Sequence, residues 1–138
     1  MVTAVNAQTG DLAQFTRDVG ISLEVAIAAS CSVPGVYPPI TIGNSRYIDG
    51  GVRSGTNADL AAGYQRVLIL RAETTFDVSA LDPQEAIPVI TFTDELAELQ
   101  RSGSQVMAIT PDDASVIARG PNMLDSSRRT VSAEAGRQ

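Results

Sequence analysis

The 138-residue sequence contains no histidine and no tryptophan. It also contains no lysine, since all ten of its basic residues are arginine. Without histidine the chain can form neither a Ser-His-Asp or Cys-His catalytic group nor an imidazole metal site. Without lysine it can form neither a Schiff base nor the lysine contact of a P-loop. These absences exclude several common kinds of catalytic and cofactor site from this chain.

Cysteine, positive charge and long apolar segments are also scarce. Cys31 is the single cysteine and cannot form a disulfide within the chain, which is typical of a reducing compartment. Ten basic and 16 acidic residues give a net charge of -6, and this charge would repel the phosphate backbone of a nucleic acid. No apolar run reaches the roughly 20 residues that span a bilayer, and residues 1–15 do not resemble a signal peptide. We therefore expect a cytoplasmic protein with no nucleic-acid partner and no transmembrane segment.

The overall composition is typical of a globular protein. With 43% hydrophobic and 19% charged residues, it is apolar enough for a core and short enough to be one domain or part of one. In the first 50 positions, strand-forming segments alternate with turn residues on either side of a serine-capped helical segment. The pattern predicts two hairpins and one helix: strands at 2–5 and 12–16, a helix from Ser22 to Ser30 packed through Leu23, Ala26 and Ile27, and strands at 40–42 and 47–48.

The second half of the sequence predicts a parallel βαβ unit. Residues 67–70 and 106–109 are continuous apolar runs, as expected of strands covered on both faces. Between them, residues 94–102 have acids in the first turn, leucines on one face and a glycine just beyond, which is the pattern of a helix. A short helix is predicted around 58–62 and a polar terminal helix at 125–135. These strands are few for an open α/β sheet, so we expect its other strands to lie elsewhere.

Two motifs lie close together in the middle of the sequence. Residues 28–39 read AASCSVPGVYPP, and residues 47–64 read YIDGGVRSGTNADLAAGY. Asp-Gly alone is a common turn pair, but the two motifs together resemble the second half of the patatin-like phospholipase family. In that family an A-S-x-x-x-P-x-x-[FY]-x-P segment precedes a D-G-[GA] motif, which supplies the aspartate of a Ser-Asp catalytic dyad. The resemblance runs through nearly the whole chain, from the first hairpin to the βαβ unit.

The resemblance implies a fold and a function. Residues 1–138 would form the C-terminal half of a patatin-like domain, an α/β layered fold with a mostly parallel central sheet, and residues 124–138 would be a peripheral polar tail helix. The activity would be hydrolysis of a lipid acyl ester, with transient contact with membrane lipid and no cofactor or metal. Asp49 would be the catalytic general base, and Gly50 and Gly51 of the same motif would shape its loop. A carboxylate in this role agrees with the missing histidine.

The family's nucleophile motif, G-x-S-x-G, does not occur in this sequence. Ser45 and Ser54 come nearest to it, but neither has glycine at both required positions. The resemblance therefore predicts a Ser-bearing N-terminal half as partner, no activity in the isolated chain, and self-association through uncovered strands. A smaller departure follows the D-G-G motif. Many relatives have proline two residues after an asparagine, whereas here Asp59 stands two residues after Asn57.

Alternative interpretations remain open at the level of sequence. The chain could be a non-catalytic remnant or interaction module of the same fold, or a small-molecule binding domain of general α/β type.

Cys31 has no histidine partner, so we expect it to be buried by packing rather than reactive. Asp112 and Asp113 occupy a predicted helix start, where acids favour the helix dipole, and this explains them better than a metal site does. Arg53 either pairs with Asp49 or faces a lipid head group, and the Arg128-Arg129 pair is expected to be a solvated surface.

Overall fold

The computed structural model describes residues 1–72, 90–122 and 125–137 of the chain. Within these ranges the chain forms two β-sheets with helices beside them, so the α/β class expected from the sequence is confirmed. No helix in the described ranges is long and apolar enough to cross a membrane. The strands are β1 (Val2–Asn6), β2 (Leu12–Phe15), β3 (Ile40–Ile42), β4 (Ser45–Asp49), β5 (Arg66–Leu70) and β6 (Gln105–Ile109), and the α-helices are α1 (Leu23–Ser30), α2 (Phe92–Arg101), α3 (Asp113–Arg119) and α4 (Arg129–Ala135).

Strands β1 to β4 form an antiparallel sheet in the order β2-β1-β4-β3. Both predicted hairpins are confirmed. In the turn between β1 and β2, Asn6 Oδ1 accepts hydrogen bonds from the backbone N–H groups of Gln8 and Thr9. In the turn between β3 and β4, Gly43 has a positive φ of 61°. Turns of this length join only antiparallel strands, so among the described strands the parallel pairing expected for the fold is confined to the second sheet.

Helix α1 begins directly after the predicted N-cap, Ser22. Its buried residues are Ala26 and Ala29, which belong to the core of the antiparallel sheet. Leu23 and Ile27 are exposed, although their helical spacing predicted that they would lie on the packed face. Alanine side chains let the helix backbone lie close to the sheet, and the larger apolar side chains are left outside the contact.

Strands β5 and β6 pair in parallel, with a register that runs from Val67 opposite Val106 to Leu70 opposite Ile109. Helix α2 contacts β6, so the predicted combination of parallel strands and helix is confirmed. The helix begins at Phe92, two residues before the predicted start. The reason is that Thr91 is its N-cap and forms a capping box with Asp94.

The two faces of this parallel pair differ in burial. Ile69 packs with Leu99 of α2 and with Ala58 in a second hydrophobic core. The other face, called the uncovered face below, carries four exposed apolar side chains: Leu68, Leu70, Met107 and Ile109. The described residues cover only the face that α2 contacts, and the expected cover on the other face is not among them.

Helices α3 and α4 contact each other near the C-terminus. Asp112 is the N-cap of α3, and its Oδ1 accepts a hydrogen bond from the backbone N–H of Ser115 at 2.8 Å, as predicted for an acid at a helix start. Arg128 donates from Nη1 to the carbonyl oxygens of Ile117 and Ala118. Arg128 is therefore more than the solvated surface residue that was expected. The predicted polar terminal helix is confirmed as α4, which has no buried residue.

Candidate active site

Asp49 is the last residue of β4, where the antiparallel sheet ends and a 3-10 turn, Gly50–Val52, begins. In the sheet it lies opposite Ala4 of the neighbouring β1. Its backbone N–H donates to the carbonyl oxygen of Ser32 at 3.0 Å, and Ser32 belongs to the first of the two sequence motifs. The structure therefore brings the two motifs into direct contact at Asp49.

The side chain of Asp49 is oriented by the turn that follows it. Its Oδ1 accepts a hydrogen bond from the backbone N–H of Gly51 at 2.7 Å, which makes Asp49 the N-cap of the 3-10 turn. The residue is half-buried. A half-buried carboxylate with one oxygen bonded to the backbone has a defined direction and can still be reached by a second group.

Both glycines after Asp49 lie close to a neighbour: a side chain would collide at Gly50 and would be tightly packed at Gly51. A Cβ at Gly50 would be 2.6 Å from Thr3 Oγ1 and 2.8 Å from the Thr3 carbonyl oxygen. A Cβ at Gly51 would be 3.0 Å from Asp49 Oδ1. Gly50 is thus required by the close approach of β1, and Gly51 lets its own amide reach the carboxylate.

Arg53 does not pair with Asp49. Its guanidinium forms a salt bridge with Asp59, with Nη2 and Oδ2 2.6 Å apart, and Nη1 donates to Asn57 Oδ1 at 2.8 Å. Hydrogen bonding from Arg53 is the main reason that the pKa of Asp59 lies below its ordinary value, and the same bond raises the pKa of Arg53. Asp59 therefore stabilises the loop after the D-G-G motif through this ion pair.

Asn57 has a left-handed backbone with a φ of 48°, a conformation in which asparagine is enriched. Its Nδ2 donates to the carbonyl oxygen of Gly50 at 3.1 Å and to that of Ser54 at 2.9 Å. These bonds connect the far end of the loop back to the residue that follows Asp49.

A buried glutamate on α2 binds the same loop. Glu95 is fully buried, with 0% of its surface exposed. The hydroxyl groups of Ser54 and Thr56 each donate to one of its two carboxylate oxygens, and the backbone N–H of Ala58 donates to Oε1 at 2.9 Å. Three donors around one carboxylate offset the cost of removing its charge from water.

Sequence reasoning missed this cluster, although the sequence contains a signal for it. On α2, Glu95 lies one turn before Leu99 and one turn after Phe92, which are positions on the apolar face of the helix. An acid on an apolar face is buried unless the helix turns that face to water, and a buried acid needs several donors. The polar segment after the D-G-G motif, residues 53–57, is rich in such donors.

The Ser54 and Glu95 pair superficially resembles a serine activated by a carboxylate. Ser54 is only 2% exposed, and its Oγ also accepts hydrogen bonds from the backbone N–H groups of Thr56 and Asn57. Its hydroxyl is fully engaged inside the protein and cannot reach an ester substrate. This pair therefore stabilises the loop and is not an accessible nucleophile.

Cys31 is exposed rather than buried, so the prediction that packing would bury it is wrong. The residue follows the last turn of α1, and its backbone N–H donates to the carbonyl oxygen of Ile27 at 3.0 Å. The buried residue at this point is its neighbour Ser32, whose hydroxyl donates to the Ala28 carbonyl oxygen at 2.7 Å.

A cleft of about 690 Å³ lies next to strand β5, and residues 67–70 of the strand all line it. Thr56, Asn57 and Tyr64 are among its other lining residues. Asp49 does not line this cleft. The cleft adjoins the loop after the D-G-G motif, but it does not include the candidate base, Asp49.

A comparison with protein families matches residues 1–62 of this chain to the family described as patatin-like phospholipase. The matched segment contains the first motif, most of the second motif and Asp49, and it ends at residue 62, directly after the 3-10 turn Ala58–Ala61. The resemblance is therefore supported for the N-terminal part of this chain, and not along nearly its whole length as expected, because β5, α2 and β6 lie outside the match. A search of curated proteins finds no match.

Proposed function

We propose that this chain carries the base of a patatin-like lipid acyl hydrolase, with Asp49 accepting the proton of a serine that lies outside this sequence. One observation carries the proposal. Within the segment that matches the family, Asp49 ends an interior strand of the sheet with its carboxylate oriented by the N–H of Gly51. On this proposal the substrate is a carboxylic ester of a lipid.

The proposed reaction uses no histidine. Asp49 takes the proton from the serine hydroxyl as the serine oxygen bonds to the ester carbonyl carbon. The protonated Asp49 then gives that proton to the departing alcohol as the ester C–O bond breaks, which leaves an acyl-enzyme. In the second half of the reaction water attacks the acyl carbon and Asp49 accepts its proton. Asp49 then gives this proton to the serine oxygen as the acyl-serine bond breaks, which regenerates the serine and releases the fatty acid.

Exposed apolar surface supports the proposal that a further segment packs on this chain. The uncovered face of β5 and β6 carries four apolar side chains, and Leu23 and Ile27 of α1 are also exposed. Parallel strands normally have both faces covered, and large apolar patches mark interaction surfaces. The proposed occupant is the Ser-bearing N-terminal half, and a chain without that half is expected to self-associate.

The alternative is a non-catalytic remnant or interaction module. It is favoured by the absence of G-x-S-x-G from the sequence and by the burial of Ser54, the serine that does contact a carboxylate. The coding sequence upstream of Met1 separates the two proposals most directly. An in-frame G-x-S-x-G there supports the hydrolase, whereas a functional start signal at Met1 supports the remnant.

The decisive experiment compares the chain with and without the Ser-bearing segment, using a chromogenic long-chain ester and a serine-directed phosphonate probe. We expect no hydrolysis and no labelling for the 138-residue chain alone. In the longer protein, Asp49→Asn should lower kcat by about 10²- to 10⁴-fold, because an amide cannot accept the serine proton. The matched control is Asp11→Asn, an exposed acid in the first hairpin. Stoichiometric labelling of the isolated chain, or near-normal turnover by Asp49→Asn, would contradict the proposal.

A further inference from the structure

We propose that Glu95 is a positioning residue for Asp49, acting through the loop of residues 50–58. This inference rests on the proposed function of Asp49, and it concerns a residue of α2 that lies outside the segment matched to the family. Its basis is a continuous series of hydrogen bonds that runs from the buried Glu95 carboxylate to the Asp49 carboxylate.

The first step of the series joins α2 to the loop. Glu95 accepts hydrogen bonds from Ser54, Thr56 and Ala58, so every second residue of this segment is bound to the same carboxylate. The three donors come from two hydroxyls and one backbone amide, and the carboxylate is wholly removed from water. Because the acceptor is charged, these bonds are stronger than bonds between neutral groups.

The second step concerns Asn57, which lies between two of the bound residues. Its φ of 48° is a left-handed conformation that costs energy for a residue with a side chain. Both of its neighbours, Thr56 and Ala58, are bound to Glu95. Its own N–H donates to the Oγ of Ser54 at 3.1 Å, and Ser54 is bound to Glu95 as well. The surroundings created by Glu95 therefore hold Asn57 in this conformation.

The third step reaches Asp49 through one peptide group. Asn57 Nδ2 donates to the carbonyl oxygen of Gly50, and the N–H on the opposite side of that same peptide group belongs to Gly51. This N–H donates to Asp49 Oδ1. A peptide group is planar and rigid, so fixing its oxygen also fixes the direction of its N–H. Glu95 thereby orients the hydrogen bond that orients the proposed base.

Hydrogen exchange at the Gly51 amide tests this inference without any measurement of activity. The full 138-residue chain is compared with Glu95→Ala and Glu95→Gln. The matched control is Glu98→Ala, which removes an acid from the same helix, where it pairs with Arg101 near the surface. We expect Glu95→Ala to raise the exchange rate of the Gly51 amide roughly tenfold, as for the loss of about one hydrogen bond. Glu95→Gln retains a carbonyl acceptor for Ser54 and Ala58 and should restore most of the protection, and Glu98→Ala should match the unmodified chain.

A folded Glu95→Ala chain whose Gly51 amide exchanges at the unmodified rate would overturn the inference. If Glu95→Ala does not fold, Thr56→Val takes its place, since it removes one donor to Glu95 and preserves side-chain size. We expect a several-fold faster exchange at Gly51 in this variant too, and an unchanged rate would overturn the inference.

Kinetics in the protein that contains the serine separate this inference from the proposed function. Glu95→Ala should lower kcat about 10- to 100-fold with KM unchanged, because a misdirected base slows proton transfer but leaves the substrate site intact. Glu95→Gln should recover most of kcat. If Asp49→Asn is inactive and Glu95→Ala turns over normally, the role of Glu95 is overturned and that of Asp49 stands. If Asp49→Asn is active, the proposed function fails, and the exchange rate at Gly51 still decides whether Glu95 orients this loop.

Discussion

The antiparallel sheet β1 to β4 and the parallel pair β5 and β6 differ in how a helix packs on them. In the first, α1 packs through the small side chains of Ala26 and Ala29 into a core that also contains Phe15. In the second, α2 packs through Leu99 and covers one face, while the other face exposes four large apolar side chains. Within the part of the chain that the structure describes, the parallel pair is therefore the unit with one open apolar face.

Asp49 depends on both units. Its backbone belongs to the antiparallel sheet through β4. The loop that orients its side chain is bound to α2 of the parallel unit through Glu95, and the N–H of Ile90, just before α2, donates to the Arg53 carbonyl oxygen at 2.8 Å. A substitution in either unit is therefore expected to disturb the proposed base. The substitutions below test the two units, in order of decreasing expected effect on the free energy of unfolding.

The largest expected effect distinguishes the two faces of β5. Ile69 is 6% exposed and packs against Leu99, whereas its neighbour Leu68 is 58% exposed. Ile69→Ala should lower the free energy of unfolding by about 2 to 5 kcal/mol, because it leaves a cavity in the core. Leu68→Ala is the matched control on the other face and should change it by less than about 0.5 kcal/mol. Urea denaturation of both variants measures the difference.

Equal losses for the two variants would show that the uncovered face is occupied in solution, as it would be in a self-associated form. In that case the difference in burial between the two faces holds only for the single, unassociated chain. Denaturation repeated at several protein concentrations would separate these situations, since the stability of an associated form rises with concentration.

The next effect concerns the contact between β1 and the D-G-G turn. Gly50→Ala should destabilise the chain by about 1 to 3 kcal/mol, because its Cβ would overlap both the side chain and the backbone carbonyl of Thr3. Gly55→Ala is the matched control, since no atom lies within 4 Å of a Cβ there. Adding Thr3→Ala should not rescue Gly50→Ala, because the backbone oxygen of Thr3 remains. Full rescue by Thr3→Ala would mean that the strand moves aside and that the turn is less tightly packed than the structure shows.

Much of the local structure could be predicted from the sequence because its signals are local. Turn residues located both hairpins, Ser22 located the start of α1, and two continuous apolar runs located the parallel pair. The packing could not be predicted in the same way. Helical spacing assigned Leu23 and Ile27 of α1 to the core, but which face of a helix packs depends on what lies opposite it, and here the contact is made by alanines.

The residues of the candidate site differ in the same way, since some could be predicted from a local motif and others could not. Asp49 and its glycines are adjacent in sequence, so a motif is sufficient to identify them. Glu95 lies 41 positions from Ser54, and only the folded chain brings the two together. The expected pairing of Arg53 with Asp49 failed for a related reason. A left-handed Asn57 lies in the loop, and Arg53 pairs with Asp59 instead.

The smallest expected effect is the pH dependence of the Arg53–Asp59 salt bridge, which connects the end of the loop to its start. The pKa of Asp59 is lowered in the folded chain, chiefly by hydrogen bonding from Arg53. A lowered pKa means that the carboxylate stabilises the fold fully above its unfolded pKa of about 4, and that this contribution is lost as the pH falls through the folded value. Asp59→Asn should therefore cost about 1 kcal/mol of unfolding free energy at pH 7, and this difference should shrink as the pH falls below about 4.

Denaturant titrations of the unmodified chain and of Asp59→Asn between pH 7 and pH 2.5 measure this difference directly. The other acids titrate in both chains, so the subtraction isolates Asp59. Asp11→Asn is the matched control, because it removes an exposed acid that lies far along the sequence from the loop, and it should stay within about 0.5 kcal/mol of the unmodified chain at neutral pH. A difference for Asp59→Asn that stays constant down to pH 2.5 would show that its carboxylate charge does not stabilise the loop. The connection between the D-G-G turn and residues 57–59 would then depend on the Asn57 and Glu95 hydrogen bonds alone.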